Sequence, residues 1–153
     1  MIEVAQAVVA EVGAGRVGIR LSPGNQAQDV FETDEAETRA TYQALLDGLR
    51  PLGMAYLSVL HAEPAGQLVA DLKAWFDGKL IVNSGFGTVT TREEAVSLIE
   101  RSHADAVAVG RAIIANPDLV ERWRENAPEN APRPEHFYTP GAEGYTDYPR
   151  LSA

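Results

Sequence analysis

The feature that most constrains the fold is a regular alternation of short apolar segments with amphipathic helical segments. Val17, Ile19 and Leu21 alternate with small or polar residues in the first apolar segment, a pattern typical of a strand. The four strand-like segments are residues 16–22, 54–60, 80–82 and 106–109. Strands that alternate with helices predict a parallel sheet.

Helices are predicted before the first strand and after each strand. Apolar residues recur at helical spacing within residues 4–12, 42–49, 68–76, 95–99 and 119–123. Two of these helices have capping-box spacing at their start, Asp34 with Glu37 and Thr91 with Glu94. The chain is therefore expected to contain a first helix followed by four strand–helix units.

The last predicted helix begins at a strong start signal. Asn116 is a favoured N-cap residue, and Pro117 suits the first helical position. Three apolar residues of this helix are predicted to face inward: Leu119, Val120 and Trp123. From residue 127 onward the chain is rich in Pro and Gly and lacks periodicity, so we expect an ordered or semi-ordered tail.

Composition excludes several classes of partner. The net charge is −9, from 22 acidic and 13 basic residues, which argues against a nucleic-acid surface. The chain has no cysteine, so disulfides and thiolate metal sites are excluded, and this composition suits a reducing cytosol. No run approaches the ~18 apolar residues of a membrane span. We expect a cytoplasmic protein that binds neither nucleic acid nor membrane.

Two turns built from small residues follow the last two predicted strands. Residues 83–88 contain Gly85 and Gly87, and Gly110 precedes Arg111. Such turns suit a phosphate, and paired phosphate loops after the last two strands are found in (β/α)₈ barrels. Four units are half of such a barrel, and 153 residues fall short of the ~200 that a barrel needs. Four strands could close against a partner or form a small open sheet.

Arg20 lies within the first strand, on the face opposite Ile19 and Leu21. An arginine in a buried strand needs an anionic or electron-rich partner. That partner is either a carboxylate within the sheet or a bound polar ligand at the end of the strand.

The three histidines have no spacing that suits a metal, and we predict no metal site. His61 follows the second strand, where barrel enzymes place functional groups, although a polar loop residue is an equal alternative. His103 is expected to be solvated, and His136 lies in the tail. No Ser-His-Asp arrangement is supported by the spacing.

Three motifs together resemble the Old Yellow Enzyme family of flavin ene-reductases. Residues 16–23 (RVGIRLSP) are similar to the fifth barrel strand of that family. Residues 107–111 (VAVGR) with 115–119 (ANPDL) resemble its eighth strand and following helix, and residues 143–149 (EGYTDYP) resemble its C-terminal tail. The resemblance implies an α/β fold, the half of a (β/α)₈ TIM barrel that holds strands five to eight. Residues 1–126 would form this half with an FMN phosphate site, and residues 127–153 a tail lining the active site.

The resemblance also implies roles for individual residues. Cofactor-binding roles fall on Arg20, Gly85, Phe86, Gly110 and Arg111. Arg20 would contact the flavin ring near N1 and O2, the N–H groups of Gly85 and Phe86 would bind the FMN phosphate, and Gly110 with Arg111 would complete that site. Tyr138 would line the substrate pocket. The carbonyl-binding and proton-donating residues of the family lie on earlier strands, so no catalytic residue is assigned in this chain.

Three interpretations follow for function. The first is one part of a split or permuted ene-reductase, completed by a second polypeptide carrying strands one to four; Met1 falls inside the periodic pattern of the first helix, as though that helix had been cut. The implied reaction uses NADPH or NADH, through FMN, to reduce an activated alkene. The second is a self-associating half-barrel that binds FMN or a phosphate without this reaction. The third is an unrelated phosphate-binding α/β domain.

Overall fold

The computed structural model describes residues 1–26 and 29–151. The chain forms two compact units. The first unit comprises Met1–Thr88 and Ala95–Ala108, and the second comprises Val89–Glu94 and Val109–Ala153. No helix within the described ranges is long and apolar enough to traverse a lipid bilayer.

A four-stranded parallel sheet forms the centre of the first unit, as the sequence predicts. Its strands are β1 (Gly18–Leu21), β2 (Tyr56–Leu60), β3 (Lys79–Asn83) and β4 (Ala106–Val107). They pair in chain order, with Arg20 beside Ser58 and Val59 beside Val82. Within the described residues β1 and β4 each pair with one strand, so both outer strands have an edge without a strand neighbour.

The described part of the chain contains six α-helices. They are α1 (Ile2–Val12), α2 (Glu35–Leu49), α3 (Gln67–Phe76), α4 (Arg92–Glu100), α5 (Arg111–Ala115) and α6 (Leu119–Glu125). The two predicted cap side chains are confirmed as acceptors at the starts of α2 and α4. The Glu37 N–H donates to Asp34 Oδ1 at 2.9 Å, and the Glu94 N–H donates to Thr91 Oγ1 at 3.2 Å. These bonds satisfy backbone donors that the first turn of a helix leaves unpaired.

The apolar core lies on one face of the sheet. Its most buried strand residues are Leu57, Val59, Leu80 and Val82, each at most 1% exposed. Helical spacing places Leu46 and Leu49 of α2 and Val69 and Leu72 of α3 in the same core. Burying a leucine or valine side chain contributes ~1.5–3 kcal/mol, so this layer holds the sheet to its helices.

The opposite face of the sheet is much less covered. Strand alternation and register place these residues on it: Gly18, Arg20, Tyr56, Ser58, Leu60 and Ile81. Leu60, at the end of β2, is buried, whereas Arg20 and Tyr56 are exposed and Gly18, Ser58 and Ile81 are half-buried. Parallel sheets are normally covered on both faces. The described residues therefore leave one face of a parallel sheet accessible.

The predicted start of the last helix is wrong. Asn116 does not cap α6, which begins at Leu119 after Asp118. Asn116 is instead fully buried, where its Nδ2 donates to the Ala112 carbonyl at 2.8 Å and its Oδ1 accepts from the Asn130 N–H at 2.7 Å. A buried amide needs such partners, and these bonds, one of them to a residue fourteen positions away, outweigh the local capping preference.

Two further predictions, the inward-facing residues of α6 and the length of the fourth strand, also need correction. Val120 does not face inward, since it is 63% exposed, whereas Leu119 is 3% exposed. The fourth strand is shorter than predicted, because β4 ends at Val107 and not at Val109.

A buried arginine holds the tail to α6. Arg122 donates from Nε to Asp118 Oδ1 at 2.7 Å and from its two terminal nitrogens to the carbonyls of Pro128 at 2.5 Å and Pro149 at 2.9 Å. Asp118 Oδ2 accepts from the Leu151 N–H at 2.6 Å. The hydrogen bond from Arg122, and then that from Leu151, holds the pKa of Asp118 below its ordinary value. The tail is therefore ordered by polar bonds, which explains its lack of apolar periodicity.

Candidate functional site

A cavity of about 270 Å³ lies at the carboxyl ends of the first three strands. Three segments line it: Pro23–Asn25 after β1, Leu60–Ala62 at the end of β2, and Ser84–Thr88 after β3. In parallel α/β sheets, ligands bind at the carboxyl ends of the strands. The turn that contains Gly85 and Phe86 therefore lies where such folds bind ligands.

Gly85 is explained by the backbone of its turn. Its φ is 100°, a conformation that residues with a Cβ rarely adopt. A Cβ at this position would lie 3.7 Å from the backbone nitrogen and Cα of Ala62, so the turn lies close to the residues that follow β2. Phe86 follows with a side chain that is 58% exposed. The backbone of this turn can approach a ligand closely on the cavity side.

Gly110 has no comparable structural explanation. Its φ is −103°, which any residue can adopt, and a Cβ at Gly110 would have no neighbouring atom within 4 Å in the described structure. Neither backbone conformation nor crowding within the described residues requires glycine here. Glycine also permits a ligand to approach the backbone closely, and a role of Gly110 at a phosphate stays a prediction. Arg111, the first residue of α5, is exposed.

Arg20 is exposed on the accessible face of the sheet. Within the described residues, 1–26 and 29–151, no carboxylate oxygen lies within 4.0 Å of its guanidinium, the limit for an ion pair. The first of the two expected partners, a carboxylate within the sheet, is therefore not found in the described structure. Arg20 is therefore a cation on the accessible face of the sheet.

Sequence reasoning missed a carboxylate that fixes the turn after β1. Glu32 Oε2 accepts from the Gly24 N–H at 2.7 Å, and Oε1 accepts from the Tyr42 hydroxyl at 3.0 Å. Burial, followed by the hydrogen bond and the charge of Glu32, raises the pKa of Tyr42 to about 12. Glu32 lies in a loop eight residues from Gly24 and ten from Tyr42, so no local spacing could have indicated it.

Tyr138 belongs to the second unit and follows the short 3₁₀ turn Pro134–His136. Its side chain is 99% exposed. The phenol is therefore accessible to a ligand, and its role in a substrate pocket stays a prediction.

Comparison with known proteins decides the family. The profile of the NADH:flavin oxidoreductase / NADH oxidase family matches residues 1–130. The chain belongs to this family. The resemblance to Old Yellow Enzymes is confirmed, and FMN with NADPH or NADH are the cofactors that fit the family.

Individual relatives agree with this assignment. The chain is 36% identical over 152 residues to a 12-oxophytodienoate reductase-like protein of Solanum lycopersicum, covering 98% of this chain and 40% of the relative. It is also 36% identical to a probable flavin mononucleotide-dependent alkene reductase of Leishmania infantum, covering 97% of this chain and 40% of the relative. The old yellow enzyme from Trypanosoma cruzi superposes with a TM-score of 0.84 at 37% identity, covering 98% of this chain and 39% of that protein. The chain thus spans about 40% of the length of the relatives that it matches.

Proposed function

We propose that this chain is the FMN-binding portion of an NAD(P)H-dependent ene-reductase that reduces the activated C=C bonds of enones and related alkenes. Activity would require a second polypeptide that carries barrel strands one to four. Residues 1–126 would supply strands five to eight of the barrel, and residues 127–153 would line the active site. The family membership and the match to two-fifths of the relatives' length support this proposal.

The observation that carries the proposal is the accessible face of the parallel sheet. Arg20, Tyr56 and Ser58 lie on this face with exposed or half-buried side chains. In a closed barrel the same face would be the interior, which side chains fill. The free edges of β1 and β4 would pair with the missing strands.

The residues present fit an FMN group. Arg20 offers a cation with no ion-pair partner in the described structure, which suits the electron-rich N1 and O2 edge of a flavin. Gly85 and Phe86 would donate N–H groups to the phosphate, and Gly110 with Arg111 would add a backbone donor and a positive charge. When bound, FMN supplies the hydride chemistry that links NADPH or NADH to the alkene.

The contribution of this chain is to hold and tune the cofactor. Arg20 would stabilise negative charge on the ring, and Tyr138 would contact the alkene from the tail. No residue of this chain is proposed to bind the substrate carbonyl or to donate the proton. Those roles would belong to the complementary polypeptide.

A second candidate function rests on the same two free edges. Because β1 and β4 are both parallel-strand edges, β1 of one copy could pair with β4 of another. Two copies would then form a closed eight-stranded assembly that binds FMN or another phosphate ligand without ene-reductase catalysis. Sedimentation of the chain alone tests this directly. A dimer would support the self-associating half-barrel, and a monomer would contradict it.

The test of the proposal is reconstitution. The part of the Solanum lycopersicum relative that has no counterpart in this chain is produced separately and mixed with this chain and FMN. We expect a one-to-one complex that carries flavin absorbance through gel filtration. Two species that elute separately and without flavin would contradict the proposal.

A further inference from the structure

His61 lies on the wall of the cavity at the carboxyl ends of the strands, and neither the family resemblance nor the proposed reaction gives it a role. It is the one titratable side chain among the described residues that line this cavity. The rest of the lining consists of backbone, apolar side chains, hydroxyl groups and the Asn25 amide, with no carboxylate. A cavity with an imidazole donor and no carboxylate in its lining suits an anion.

The contacts of His61 fix which ring nitrogen can donate. Its Nδ1 accepts the N–H of Glu63 at 3.0 Å and also lies 3.2 Å from the Glu63 carbonyl oxygen. In the neutral ring the accepting Nδ1 carries no proton, so the proton is on Nε2. In the charged ring Nδ1 can donate to the carbonyl, and Nε2 again carries a proton. Nε2 is therefore an N–H donor in either state.

The position of Nε2 is also set by the turn after β1. A Cβ at Gly24 would lie 3.8 Å from His61 Nε2, so this edge of the ring lies beside Gly24. On another side His61 lines a second cavity of about 380 Å³, which is also lined by Glu32, Glu35 and Glu63. Those carboxylates would repel an anion. The cavity beside the Ser84–Thr88 turn, which has none, is the one that suits it.

We propose that His61 donates its Nε2 hydrogen to an oxygen of a phosphate monoester bound at the Ser84–Thr88 turn. If the monoester is FMN, this inference rests on the proposed function. A free phosphate offers the same oxygen acceptors and would bind in the same way. A volume of about 270 Å³ lies below the ~300–1,000 Å³ of pockets for whole drug-sized ligands, so it suits a phosphate group and not an entire flavin.

The test compares FMN with riboflavin, which lacks the phosphate. His61→Phe removes the donor and keeps a planar ring, and we expect it to weaken FMN binding at least ~tenfold, as for a lost hydrogen bond to a charged group. Riboflavin affinity should not change. His61→Gln, whose amide can donate, should restore most of the FMN affinity, and His103→Phe serves as the matched control that leaves both affinities unchanged. Equal FMN affinity in His61→Phe and the unmodified chain would overturn the inference.

A second measurement separates this inference from the proposed function. Inorganic phosphate is titrated into the chain at constant ionic strength while the ring-proton NMR signals of the three histidines are followed. We expect the His61 signal to shift and saturate, and the His103 signal to stay in place. A shift of His61 with phosphate but no binding of either flavin would refute the flavin function and retain the anion site. No shift of His61 would overturn the inference.

Discussion

Replacing Arg20 with methionine should leave the fold intact and change the flavin. Arg20 is exposed and has no ion pair with a described residue, so its loss removes little that stabilises the chain. Surface substitutions of this kind usually change the free energy of unfolding by less than ~0.5 kcal/mol. Chemical denaturation of the Arg20→Met variant should therefore give a free energy of unfolding within that range of the unmodified chain.

The effect on bound FMN should be larger. A hydrogen bond to a charged group contributes ~1.5–3 kcal/mol. If the lower value is gained only with the anionic reduced flavin, the midpoint potential falls by ~30 mV for a two-electron couple. Spectroelectrochemical titration of the reconstituted complex measures this shift directly.

Arg39→Met is the matched control for this prediction. Arg39 forms an ion pair with Asp71 and stacks 5.8 Å from the centre of the Trp75 ring. Losing both contacts should lower the free energy of unfolding by ~1 kcal/mol, discounted for solvent exposure, and leave the flavin potential unchanged. Unfolding of the Arg20 variant with an unchanged potential in the remaining complex would refute the assignment of Arg20 to the flavin.

Three further predictions follow from other sites. Arg111→Ala should weaken FMN binding by ~1.5–3 kcal/mol in a fluorescence titration, and unchanged affinity would count against its role at the phosphate. The raised pKa of Tyr42 means that its contribution to stability is fully present at pH values below the ordinary pKa of 10.0 and is lost as the pH rises through about 12. Glu32→Gln should lower the pKa of Tyr42, measured by ultraviolet titration. The lowered pKa of Asp118 means that its contribution to stability is fully present at pH values above the ordinary pKa of 3.8 and is lost as the pH falls through the lowered pKa. Arg122→Met should raise the pKa of Asp118, measured by NMR.

Local signals in the sequence predicted the elements of the first unit well. Alternating Val17, Ile19 and Leu21 indicated the first strand, and the Asp34 and Thr91 caps were found at the starts of α2 and α4. These signals act between residues that are close in sequence. The parallel sheet then follows from the order of strands and helices.

Polar bonds between residues far apart in the sequence could not be predicted from local patterns. Asn116 has a strong local preference for a helix cap, yet its bond to Asn130, fourteen residues away, places it in a buried site. Glu32 likewise joins the Gly24 turn to Tyr42 without any periodic signal. In the candidate site, the glycines were identifiable from sequence, whereas the tautomer-fixing contact of His61 and the carboxylate-free cavity required coordinates.

We propose that this chain becomes an ene-reductase only with a complementary polypeptide. Enone-dependent oxidation of NADPH and of NADH is measured for this chain with FMN, for the complementary part of the Solanum lycopersicum relative with FMN, and for their mixture. We expect turnover in the mixture and none above the free-flavin background in either polypeptide alone. Full activity from this chain alone would contradict it, and would require a proton donor among the residues present, with His61 and Tyr138 the first to be substituted.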